Sequence, residues 1–180
     1  MFKTRTIMKS LILSILSIMI TQCSFFMDDD SLSIPLTPYT GDQLRIDGYY
    51  YLIGYDGKTI HSAYFFYGNG VLISCNGAKS SLEEMDNYIK EEFLDSQIYK
   101  RRKIDWGVFL IEGNNIKFER WYPSQRPYPA FVREGVVLNN TTFHITKSYR
   151  SNGTEEREKD EIYYFRPFSP KPDSTNNFIK

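Results

Sequence analysis

The chain has 180 residues with 22 basic and 22 acidic side chains, and 16% of it is Phe, Trp or Tyr. This length suits one domain with appendages, and the aromatic content favours half-buried pleated surfaces over a helical bundle. Balanced charge excludes the marked basic excess of a nucleic-acid binder. Residues 1–22 hold Lys3, Arg5 and Lys9 and no acid, so the remainder has 19 basic against 22 acidic side chains, a net of −3.

Leu11 to Ile20 is an apolar run of ten broken by Ser14 and Ser17. A bilayer span needs about 20 residues. A basic start, a short apolar core and a cut site instead make a secretory signal. Met8-Lys9-Ser10 is a natural start for it, as an alternative to Met1. Ile20-Thr21-Gln22-Cys23 resembles a bacterial lipobox. The resemblance implies cleavage before Cys23, palmitate-type acyl chains on its thiol and new amine, and a stable membrane anchor. An ordinary signal with a chance Cys is the alternative. Ser24 after the Cys, rather than Asp, implies the outer membrane of a Gram-negative bacterium. Asp28-Asp29-Asp30 resembles an acidic signal for the outer surface; a solvated charge run reads equally well. Residues 23–43 hold Pro35 and Pro38 without period and read as a flexible tether. About 20 such residues span roughly 25 Å.

The domain is expected over residues 44–168. Leu44 to Ile53 reads as a first strand, with Leu44, Ile46, Tyr50 and Leu52 on one face. Gly48 on that face would leave room for a bend or a bulky neighbour. Asp56-Gly57 turns the chain, and His61 to Tyr67 and Val71 to Cys75 follow as strands around Gly68-Asn69-Gly70. Cys75, alternating with Val71 and Ile73, reads as a packed thiol. The period then changes. Ser81 and Glu84 form a capping-box pattern, and Leu82, Met85, Tyr88, Ile89 and Phe93 follow at helical spacing. They predict an amphipathic helix over about 82–94. Ile98 to Lys103 reads as a short strand, and the basic run Lys100 to Lys103 as solvated rim.

Trp106 to Trp121 reads as a hairpin around Gly113-Asn114, a turn composition whose backbone needs φ > 0. Phe109 then faces Phe118 and Ile111 faces Ile116. Lys117 and Glu119 fall on the opposite face, and a one-residue slip would bring them among the apolar side chains. Pro123, Pro127 and Pro129 make an open loop. Phe131 to Leu138, Thr141 to Tyr149 and Glu161 to Phe165 complete about eight strands. Residues 169–180 read as a tail, with Phe168 or Phe178 as pins.

Tight turns join neighbours in sequence, which predicts an antiparallel up-and-down meander. Closure into a barrel buries one face and removes the edges. An open two-layer sheet with the helix across one face is the alternative. Gly48-Tyr49-Tyr50, Trp106-Gly107-Val108-Phe109 and the turn from Glu112 to Phe118 resemble the lipocalin-like domains of small bacterial lipoproteins, with Tyr50 at the usual Trp position. The resemblance implies a calycin-type barrel, sometimes an apolar ligand, and no shared catalytic residues.

His61 and His144 lack metal-ligand spacing, and phosphate-loop, nucleophile-elbow and zinc-protease motifs are missing. The expectation is a non-enzyme without cofactor. Two functions are open. A carrier would hold a small apolar ligand among Tyr50, Phe109, Phe118 and Phe143, with the Tyr50 phenol bonded to ligand or water. An interaction module would dock an envelope protein through the aromatic and proline-rich loop 121–129, with Trp121, Tyr122 and Tyr128 exposed, since such rings are enriched at interfaces.

Overall fold

The computed structural model describes residues 28–124 and 126–180. Cys23, the signal and its alternative starts lie outside the described residues. The eight strands are β1 (Gly48–Ile53), β2 (Ile60–Phe66), β3 (Val71–Lys79), β4 (Trp106–Glu112), β5 (Asn115–Trp121), β6 (Ala130–Asn139), β7 (Thr142–Arg150) and β8 (Arg157–Pro167). Each pairs antiparallel with its neighbour in chain order, and β8 returns to β1, so the sheet is a closed barrel. The β4–β5 hairpin has the expected register, Phe109 opposite Phe118 and Ile111 opposite Ile116. Gly113 takes φ +60° at its turn.

Closure needs close backbone approach. A Cβ on Gly48 would lie 2.0 Å from the Arg166 carbonyl oxygen, and one on Gly135 would lie 1.9 Å from that of His144. Gly48 therefore leaves no space for a side chain; the backbone of β8 takes it.

Helix α1 (Leu82–Ile89) begins as its cap pattern predicts, with the Glu84 N–H donating to Ser81 Oγ at 3.1 Å. The Glu84 carboxylate turns back to Ser80 rather than to Ser81. The helix continues as π-helical turns over Lys90–Asp95. Met85, Ile89 and Phe93 cover Phe65, Ile73 and Cys75 on the outer wall. Burial pushes the Cys75 thiol well above its ordinary pKa. The segment expected as a strand at 98–103 forms short 3-10 turns instead. Its basic run is largely paired: Lys100 with Asp173 at 2.7 Å, Arg102 with Asp105 at 2.6 Å, Lys103 with Asp29 at 2.9 Å.

Both arms lie against the barrel. Residues 28–43, expected as tether, run along its outer wall. Trp121 Nε1 donates to the Asp30 carbonyl at 2.7 Å, and the Asp30 carboxylate accepts from Arg150 Nε at 2.7 Å and Nη2 at 3.0 Å. That guanidinium holds the Asp30 carboxyl below its usual range. Asp29 and Asp30 are thus structural acids rather than a solvated run. Further along, the Glu119 carboxylate accepts from the backbone N–H groups of Ser33 and Ile34, both at 2.7 Å, and from Ser33 Oγ. Glu119 is fully buried, where its alternation predicts an exposed position. The arm then turns under the barrel, where Tyr39, Leu44 and Ile46 seal one end. The C-terminal arm is tied by Tyr67 and Tyr99, whose hydroxyls donate to the carbonyls of Pro172 and Asp173.

Phe118 is fully buried beside Tyr64 and Phe66. Phe118→Ala should cost about 3–5 kcal/mol in denaturant melts. Glu119→Ala leaves two arm N–H groups without their acceptor and should cost about 1–3 kcal/mol. It should also open residues 28–37 to protease, which Phe118→Ala should do only through global unfolding.

Candidate functional site

The barrel interior is divided along its axis. At the sealed end Tyr50, Phe66, Phe109, Phe118 and Phe143 pack ring to ring. Centroids are 4.8 Å apart for Phe66–Phe109 and 5.2 Å for Tyr50–Phe143. The Tyr50 hydroxyl donates to the Asn140 carbonyl at 2.8 Å. Its expected partner, a ligand or a water, is therefore replaced by the chain's own backbone. Tyr50, Phe109, Phe118 and Phe143 form one cluster, and they are core filling. Phe109 also borders a separate cleft of about 240 Å³ beside Tyr39 and Gln43.

Toward the other end the same inward rows become polar. On β5 the row runs Ile116, Phe118, Arg120; on β8 it runs Phe165, Tyr163, Glu161; β6 brings in Arg133. Of these, Arg120, Arg133, Glu161 and Tyr163 border a pocket of about 360 Å³ together with Ser62, Tyr64 and Asn76. Leu52, Ile53, Tyr55 and His61 from β1, β2 and their turn form its lip. Tyr55 is fully exposed there.

The two arginines are held differently. Arg133 Nη1 donates to the Glu161 carboxylate and, at 3.3 Å, to the Tyr163 hydroxyl, while Nε donates to the Tyr122 hydroxyl at 2.8 Å. Arg133 and Glu161 thus form a paired charge with its own hydrogen-bonded phenols. Arg120 is 4% exposed. Its Nη1 donates to the carbonyls of Ile104 and Trp121, and its Nη2 to Asn76 Oδ1 at 3.3 Å. The guanidinium lies 3.9 Å from the Tyr122 ring centroid, a cation–π contact. Its Nε is buried without a partner.

These charges act on the phenols between them. Burial alone would raise Tyr64, but the Arg120 and Arg133 guanidiniums outweigh it and hold Tyr64 below its ordinary pKa. Burial pushes Tyr163 well above its own, with Tyr64 adding to the rise. A pocket that favours one phenolate carries net positive potential.

The aromatic loop is not laid out as a docking surface. Trp121 is buried, with its indole N–H on Asp30. Tyr122 is half-buried, 5.3 Å from the Phe131 ring, and accepts the Arg133 bond. Tyr128 is half-buried against the outer-wall cluster, with its N–H donating to Asp29. Among the described residues no group of His, Cys, Asp and Glu side chains could hold a metal ion. Arg120, Arg133, Tyr64 and Glu161 escaped sequence reasoning, although one signal pointed to them. Arg120 lies two residues beyond Phe118, in phase with an inward apolar row.

Compared with family models, with curated proteins and with solved structures, the chain matches none.

A phenolate absorbance titration should show one tyrosine ionising ahead of the others, and Tyr64→Phe should remove that step. The sign follows from the lowered folded-state pKa. The Tyr64 contribution to stability is full above about pH 10, the unfolded value. It is lost as pH falls through the lowered one.

Proposed function

We propose that this protein is a non-catalytic binding barrel of the bacterial envelope, lipocalin-like in kind. On this reading it is anchored to the outer membrane through acyl chains on Cys23 and takes a small molecule into its open end. One observation carries the binding reading. The chain fills the sealed end of its interior with its own rings and leaves a pocket of about 360 Å³ above them, bordered by mixed polar and ring side chains. Ligand sites are concave, largely preformed and fitted with a few placed polar groups, and this pocket has each property. The ligand site is accordingly Ser62, Tyr64, Arg120, Arg133 and Tyr163 rather than the ring cluster below. The interaction-module reading rested on exposed rings at Trp121, Tyr122 and Tyr128, and the first of these is buried.

The binding test uses the full chain carrying Cys23→Ser, so that no acyl chain competes, with the neutral dye N-phenyl-1-naphthylamine. Saturable binding at one site is expected. Ser62→Trp, which fills the pocket, should weaken it at least about tenfold, the loss of roughly 1.4 kcal/mol. Val136→Trp on the outer wall should leave it unchanged. Dye that binds only as the chain unfolds, or equally to Ser62→Trp, would end this reading.

The anchor has a separate test. Cys23→Ala should release the protein from membranes or stall its processing. Mass spectrometry should find the mature N-terminus at an acylated Cys23. An unmodified start elsewhere would remove the membrane address and leave the binding reading in place.

A further inference from the structure

Resting on the binding reading above, we infer that the pocket takes a small monoanion: a carboxylate on a short, flat apolar body, received by Arg120. The charges bordering the cavity point to it. Arg133 is answered by Glu161, which Lys159 also approaches from outside at 3.6 Å. Asp160 sits at the rim, largely exposed, and is bonded to His144 on the outer wall. The nearby buried acid, Asp105, is held by Arg102 at 2.6 Å and does not border the cavity. The hydrogen bonds of Arg120 go to two carbonyls and an amide, and the titratable group set against it is the Tyr64 phenol, not a carboxylate. One positive charge in the pocket therefore has no carboxylate.

The guanidinium is also incomplete as a donor. Nη1 is used by the backbone carbonyls, whereas the edge formed by Nε and Nη2 holds a single 3.3 Å bond and an unpartnered Nε. A buried donor left unmade is costly, more so when charged. That edge is the one a carboxylate engages with two parallel N–H···O bonds. The body of the ligand is set by what faces the cavity beside the arginines. Tyr64 and Tyr163 are buried at its floor, and the side chains of Leu52, Ile53 and Tyr55 supply the apolar surface at its lip.

The experiment compares three phenyl probes of similar size, benzoate, benzyl alcohol and benzamidinium, titrated calorimetrically into the full chain carrying Cys23→Ser. Benzoate should bind at least about tenfold tighter than benzyl alcohol, the size of one charge-assisted bond pair. Benzamidinium should not bind measurably. Arg120→Gln should bring benzoate down to the level of benzyl alcohol. Glu161→Gln frees Arg133 and should tighten benzoate while leaving benzyl alcohol unchanged. The ranking of the three probes on the otherwise unaltered chain needs neither variant, so a misfolded Arg120→Gln does not decide the outcome. Equal binding of benzoate and benzyl alcohol, preference for benzamidinium, or no probe bound by a chain that still binds the neutral dye would each overturn the anion inference and leave the binding reading standing. Loss of dye and probe binding together would overturn both.

Discussion

The pairing of Gly48–Leu52 with Tyr163–Pro167 joins the last strand to the first. Once it forms, every strand has one face inside and one outside, and the inward side chains of eight strands must share a space barely wide enough to hold them. Large rings fill the sealed end of that space to contact distance. Above them the inward positions are Ser, Asn, Arg, Glu and Tyr, whose polar atoms bond to one another instead of packing edge to face. The boundary between the two ends passes through Tyr163, whose ring packs on Phe118 and Phe143 while its hydroxyl donates to the Glu161 carboxylate.

Alternation made the sheet legible. Period-two patterning on β4 and β5 selects one register, because any slip drives Lys117 and Glu119 inward, and the observed pairs follow it. The capping pattern at Ser81 and Glu84 located the helix for the same reason: a local hydrogen bond decides where a helix begins. The pocket was less legible. Reading an inward face as apolar by default hid Arg120 and Arg133, which lie in phase with rings. A polar residue in an apolar row is informative only when its place along the barrel axis is known, and that place depends on all eight registers together.

The outer face misled for a different reason. Alternation identifies which side chains leave the barrel, not what lies over them. Val108, Glu119 and Val132 point outward and are buried, because the N-terminal arm covers them. The arm has no period of its own, so it reads as linker, yet its backbone N–H groups meet a carboxylate and its acids meet Arg150 and Lys103. Such contacts join residues about 70 to 120 positions apart in the chain, and no local pattern encodes them.

The arm also sets a direction. Asp29 and Asp30 are fastened to Tyr128 and Ala130, in the loop and first residue between β5 and β6, so the arm begins at the rim of the open end. Chain geometry allows no more than roughly 18 Å between residues 23 and 28. An acyl chain on Cys23 would thus be leashed to the mouth of the barrel, not to its sealed base. Such a barrel would stand with its opening close to the headgroups. Molecules leaving the bilayer surface would meet Tyr55 and the pocket before they met open solvent.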